Sequence, residues 1–234
     1  MALRLGTVTT IVASSADAAL DFLQLHDAAF SGRSLLDSAH VFAHYTHSMG
    51  WLPTSSPRWH SLRKVCSAEL FAPHSLDTQQ SLRLRRDKVR RLVSHVARLA
   101  REGVPVGVNR LAFVNAVNLL SSTIFSTELA DIDDDSSSSS SSFEGVLAET
   151  NAAVGLPNVS DFFPEVAWLD PQGLRRRIES LFERLHAMID KQIERRLQER
   201  AAAATAPMKD FLDVLLDYRG AEDGGALIVR RSCR

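Results

Sequence analysis

Trp59 and Arg63 lie four residues apart in a stretch that opens at Pro57 and reads as a helix to about Leu70. Helical spacing of four places both side chains on one face. An indole N–H and a guanidinium donate hydrogen bonds and accept none. Two such donors side by side suit a ligand that carries paired carboxylates. The same pair also fits an arginine stacked on a tryptophan, worth about 0.5–1 kcal/mol at an exposed site. Spacing alone leaves both readings open.

His40, His44 and His47 have the H-x-x-x-H-x-x-H spacing that on a helix presents ligands to zinc. No Glu follows His40 or His44 in a zincin arrangement, and solvated or packed histidines are the plainer reading. Phe42, Tyr45, Met49 and Trp51 sit in a loop-like stretch, 31–56, where aromatics either line a pocket or pack onto the body. Two cysteines, Cys66 and Cys233, make no disulfide framework, which points to a reducing compartment. Cys66 falls within an amphipathic helix as a small core residue. Cys233 stands among Arg230, Arg231 and Arg234, whose charges favour its thiolate. No Gly-rich phosphate loop and no G-x-S-x-G elbow is present.

These residues need elements to hold them. With 45% hydrophobic and 24% charged residues the chain has the composition of a soluble globular protein. Residues 2–12 alternate and are rich in Val and Thr, which predicts a hairpin or two short strands. Ser14-Ser15-Ala16-Asp17 starts a helix to about Leu25, with Ala19, Phe22 and Leu23 facing inward. A basic helix over 82–101 places Val89, Leu92, Val93, Val96 and Ala100 inside. Helices over 108–127 and 143–154 follow, separated by the acid and serine run 131–142, which reads as a disordered loop. After the Gly155–Asn158 break, Asp170-Pro171 opens a long helix. Its stripe is Leu174, Ile178, Leu181, Phe182, Leu185, Met188, Ile189, Ile193 and Leu197. A short helix over 208–218 ends the pattern. Strands first and helices after exclude an alternating βαβ fold.

The net charge of −1 hides an uneven distribution. Residues 58–110 carry twelve Lys plus Arg against four acids, and 111–174 carry ten acids and no Lys or Arg. The basic helices fit a solvated face. Nucleic-acid binding is not expected, because no aromatic platform or zinc spacing accompanies them. The longest uncharged run, 111–127, holds two Asn, three Ser and two Thr, so it reads as a buried helix and not a membrane span.

Several blocks occur in a recognisable order: Leu3-Arg4-Leu5-Gly6; His26-Asp27-Ala28-Ala29-Phe30-Ser31-Gly32-Arg33; Pro57-Arg58-Trp59-His60-Ser61-Leu62-Arg63-Lys64; Asn118-Leu119-Leu120-Ser121; Asn158-Val159-Ser160-Asp161-Phe162-Phe163-Pro164; and Asp210-Phe211-Leu212-Asp213-Val214-Leu215-Leu216. Together they resemble the N-terminal part of a plant microsomal cytochrome P-450 of the geraniol-hydroxylase-like group. The likeness covers about residues 1–218. It implies a mainly α fold with a small N-terminal β-sheet, an incomplete cytochrome P-450 fold reaching from the family's first strands through its helices B to H. Residues 1–225 would be the N-terminal part of one domain and 226–234 a divergent tail.

The resemblance also implies chemistry. Trp59 and Arg63 match the family's Trp-x-x-x-Arg, which holds the haem propionates; His60 stands where plant members usually have Arg. Phe42, Tyr45, Trp51, Phe162 and Phe163 fall where the family contacts a small lipophilic, terpenoid-like substrate. Arg58, Lys64 and the Arg83–Arg91 cluster fall where it docks an acidic NADPH-cytochrome reductase. The family's oxygen-activating Ala/Gly-Gly-x-Asp/Glu-Thr, its Glu-x-x-Arg and its Phe-x-x-Gly-x-x-x-Cys loop have no match in these 234 residues. No axial thiolate is therefore expected, so the chain by itself is expected not to turn over. The alternative is a non-catalytic helical interaction fragment. The family resides at the cytosolic face of the endoplasmic reticulum; the missing N-terminal anchor pattern leaves a cytosolic location open.

Overall fold

The computed structural model describes residues 1–133, 142–202 and 210–218. Strands β1 (Ala2–Leu5) and β2 (Val8–Ile11) form an antiparallel hairpin, Ala2 opposite Ile11 and Leu5 opposite Val8. Helices follow in order: α1 (Ala16–Leu20), α2 (Asp27–Phe30), α3 (His44–His47), α4 (Pro57–Glu69), α5 (Pro73–Leu76) and α6 (Gln79–Glu102). Then come α7 (Val108–Phe125), α8 (Phe143–Val154), α9 (Val159–Phe162), α10 (Leu174–Ala202) and α11 (Phe211–Asp217). The mainly α reading with a small leading sheet therefore holds. The expected loop over 131–142 lies mostly, and the tail 226–234 with Cys233 wholly, outside the described residues.

The chain forms two compact units, Met1–Arg63 with Thr150–Phe182, and Lys64–Glu149 with Glu183–Arg234. In the first, the hairpin turn is fastened to the end of α9. Thr7 donates to the Phe162 carbonyl from both its backbone N–H (2.9 Å) and its hydroxyl (3.0 Å). Gly6, at φ +59, is required there, since a Cβ would lie 2.3 Å from that same oxygen. Ser15 caps α1 by accepting from the Ala18 N–H. The helix then widens into a π-turn over Asp21–Leu25, closed by the His26 N–H on the Asp21 carbonyl. The extra residue in that turn rotates Leu23 out to 79% exposure, against the expected inward face.

The stretch 31–56 is not plain loop. Asp37–Ala43 makes a 3₁₀ segment, broken at Val41 and Phe42, and α3 follows. Further on, Asp170 adopts φ 45 and its carboxylate accepts the N–H groups of Arg175 and Arg176 at 3.2 and 3.3 Å, which starts α10. Burial would raise the Asp170 pKa, but these donors and the Arg176 charge outweigh it and hold the carboxyl below its ordinary range.

In the second unit Thr78 caps α6 and Gly103, at φ 68, ends it. Its inner face differs from the expected one. Leu92 and Val96 pack on a core of Leu111, Val114 and Ile132, but Val89 and Val93 are 52% and 60% exposed and Ala100 is exposed too. Lys88, His95 and Leu99 are buried in their place. Polar partners on the segment after α7 make this tolerable: Lys88 meets Glu128, and His95 Nδ1 lies 2.9 Å from Asp133. Asn118 fastens the same segment, donating to the Ala130 carbonyl (2.8 Å) and accepting its N–H (3.0 Å).

The α10 stripe keeps Leu174, Ile178, Leu181 and Leu185 buried, but near its end Arg196 is buried while Leu197 is 38% exposed. Arg196 donates to Asp213 and Asp210, each at 2.7 Å, and to the Phe125 carbonyl at 3.2 Å. Asp210 and Asp213 also form the capping box of α11.

Candidate haem-propionate and substrate site

Pro57 suits the first turn of α4 because it has no N–H to leave unsatisfied. One turn on, Trp59 is half-buried and Arg63 exposed. Trp59 Nε1 is buried, and among the described residues nothing accepts from it. Its ring meets that of His60 edge-on, at 5.3 Å between centroids. Arg63 likewise makes no ion pair or hydrogen bond among the described residues. A buried N–H without an acceptor costs about 1–3 kcal/mol. The pair therefore presents one buried donor without an acceptor and one exposed cation, a donor set that suits a carboxylate. The stacked Trp–Arg alternative has no ring contact recorded in its favour.

The five aromatics all fall in the first unit, on three segments. Phe42 (44% exposed) lies in the 3₁₀ segment and Tyr45 follows in α3, its ring 5.1 Å from that of His40. Trp51 is half-buried in the turn before α4. Phe162 is half-buried in α9, while Phe163 is 47% exposed and lies beside the hairpin turn, near the Cβ direction of Gly6. The three-histidine spacing does not lie on one helix: Val41 and Phe42 leave helical φ/ψ between His40 and His44. Among the described residues no group of three His, Cys, Asp or Glu is placed to hold a metal ion.

The expected basic surface is thinner than its sequence suggests. Arg58 is half-buried, Lys88 is buried, and Arg91 shares Glu128 with Lys88. Lys64, Arg83, Arg86 and Arg90 remain exposed. What sequence reasoning missed is a set of buried polar and charged side chains, Lys88, His95, Arg196 and Asp213. The signal was present only for Lys88 and His95, as the acids Glu128 and Asp133 in a segment, 111–174, that carries no Lys or Arg.

The chain is 38% identical over 216 residues to geraniol 8-hydroxylase of Swertia mussotii, covering 92% of this chain and 42% of that protein. It is 36% identical to carnosic acid synthase of Rosmarinus officinalis, covering 100% and 46%. Ferruginol synthase of Salvia miltiorrhiza is 34% identical, covering 93% and 43%. The chain thus spans a little under half the length of these relatives. The model of the family described as Cytochrome P450 matches residues 1–228, nearly the whole chain and every block quoted above, so the chain belongs to the cytochrome P450 family.

Proposed function

We propose that this chain supplies the propionate-holding and substrate-contacting part of a haem-thiolate monooxygenase that hydroxylates a small lipophilic, terpenoid-like molecule. The observation that carries the reading is the buried, acceptorless indole N–H of Trp59 one helical turn from an uncommitted Arg63. Haem, when bound, would supply oxygen activation. Trp59 and Arg63 would hold its carboxylates, and Phe42, Tyr45, Trp51, Phe162 and Phe163 would exclude water from an apolar substrate. The names of the relatives, a geraniol hydroxylase among them, support the substrate class. Electrons would come from NADPH through an acidic reductase, steered by Lys64, Arg83, Arg86 and Arg90. The family's place at the endoplasmic reticulum is carried over on the same terms; among the described residues no helix is long and apolar enough to cross a membrane.

We further propose that these 234 residues alone do not turn over. Cys66 lies inside α4, and no Phe-x-x-Gly-x-x-x-Cys loop is in the sequence to place a thiolate. Haemin and its dimethyl ester, titrated against the purified chain, test both parts. Haemin should bind about five- to tenfold more tightly than the ester, and Trp59→Phe should remove most of that difference. The reduced complex with carbon monoxide should lack the difference band of a thiolate-ligated haem. Equal binding of acid and ester rejects the propionate assignment; a thiolate-type band rejects inactivity.

A second reading, a non-catalytic helical chain that binds partners, is favoured by one observation. Val89, Val93 and Leu120 are 52%, 60% and 61% exposed on the two longest helices of the second unit before residue 134. A sharp cooperative melt with no self-association would count against it.

A further inference from the structure

Phe42 and Tyr45 lie on one segment of the first unit, and Phe162 and Phe163 on another. A hydrogen bond ties them: the Asp37 N–H donates to Asp161 Oδ1 at 2.7 Å across 124 residues of sequence. Asp37 opens the 3₁₀ segment that carries Phe42 and runs directly into α3 with Tyr45. Asp161 immediately precedes Phe162, whose carbonyl is itself fixed by Thr7. Asp161 is thus anchored beside Phe162, and Asp37 opens the same 3₁₀ segment that carries Phe42.

The surroundings fit a constraint and not an incidental contact. Phe42 and Ala43 both stand at φ 52, a left-handed conformation that costs a non-glycine residue about 1–2 kcal/mol. Such backbone persists where neighbours over-determine it. The Asp37 carboxylate is only 10% exposed and lies 3.7 Å from Arg175, which balances the negative charge brought together by Asp37 and Asp161. An N–H held by a carboxylate is among the stronger hydrogen bonds a protein makes.

We propose that Asp161 is a positioning residue: it holds the Phe42–Tyr45 segment against the Phe162–Phe163 segment and so selects the girth of the lipophilic substrate. This rests on the reading of those aromatics as substrate contacts. It assigns Asp161 no part in the chemistry itself.

The 234-residue chain can be titrated with geraniol as a slender probe and ferruginol as a bulky one, following quenching of tryptophan fluorescence. Asp161→Ala should weaken the preferred probe about tenfold and bring the ratio of the two affinities close to one. Asp161→Asn keeps an acceptor oxygen for the Asp37 N–H and should stay within about threefold of wild type. Hydrogen exchange over 37–43 should quicken in the alanine variant and not in the asparagine one. A general loss of fold would lower both affinities together and leave their ratio intact, which overturns the proposal. Phe42→Ala and Phe162→Ala separate the two levels of the argument. If they weaken binding while Asp161→Ala does not, this inference alone fails. If neither matters, or wild type binds no probe, the substrate reading fails and takes the inference with it.

Discussion

Replacing Arg196 by methionine isolates the energetics of the second unit. Its side chain is 8% exposed and faces Asp210 and Asp213, which are 7% and 4% exposed. Methionine fills a similar volume but removes the main counter-charge from two buried carboxylates, leaving Asp210 the Ser126 hydroxyl and Asp213 the Arg200 charge at 3.8 Å. Removing one partner from a buried pair costs about 3–5 kcal/mol, because the remaining charge keeps its desolvation penalty. The exposed pair Arg90–Asp87, at 78% and 66% exposure and 3.5 Å, is the control; Arg90→Met should cost under about 1 kcal/mol. With a urea slope of about 2–3 kcal/mol/M, Arg196→Met should unfold at a midpoint about 1–2 M lower than wild type. Neutralising the whole cluster with Arg196→Met, Asp210→Asn and Asp213→Asn should recover most of the loss. No buried charge is then uncompensated, and an amide oxygen at position 210 still caps α11. If Arg196→Met were no worse than Arg90→Met, or the triple variant fell below the single one, the argument from desolvation would be wrong.

Two further outcomes follow from other parts of the fold. Burial pushes Glu128 up, but Lys88 and then Arg91 outweigh it and leave its pKa below the ordinary glutamate value. A depressed carboxylate contributes stability above its unfolded pKa, about 4.3, and loses it as pH falls through the lower folded value. Wild type should therefore lose stability more steeply than Glu128→Gln between about pH 5 and 3 in parallel urea titrations; superimposable slopes would contradict the pairing. Gly6→Ala should cost about 1–3 kcal/mol, combining left-handed backbone with a collision at the Phe162 carbonyl. Gly103→Ala, at a similar φ of 68 but with open space around it, should cost only the backbone share, so equal melting temperatures for the two variants would remove the hairpin latch.

The exposed valines explain where the sequence pattern misled. Val89, Leu92, Val93 and Val96 satisfy helical spacing, but periodicity records only which residues are apolar, not which face has a partner. On α6, Leu92 and Val96 pack on Leu111 and Val114 of α7, while Lys88, His95 and Leu99, which keep helical spacing with Leu92, are the buried residues. Two of them looked solvent-facing because the acids that neutralise them, Glu128 and Asp133, come 40 and 38 residues later.

By itself the sequence determined what is written within a turn or two of chain. It placed the hairpin, the proline start of α4 with Trp59 and Arg63 on one face, and the long α10. Caps, spacing and backbone restrictions act over a few residues, so they can be read locally. Tertiary structure alone decided that Leu23 turns outward on a π-turn, that Arg196 is buried while Leu197 is not, and that Asp161 reaches Asp37. Each depends on whether a distant group arrives to take a charge or a hydrogen bond, and burial of a polar side chain is favourable only once that partner is in place.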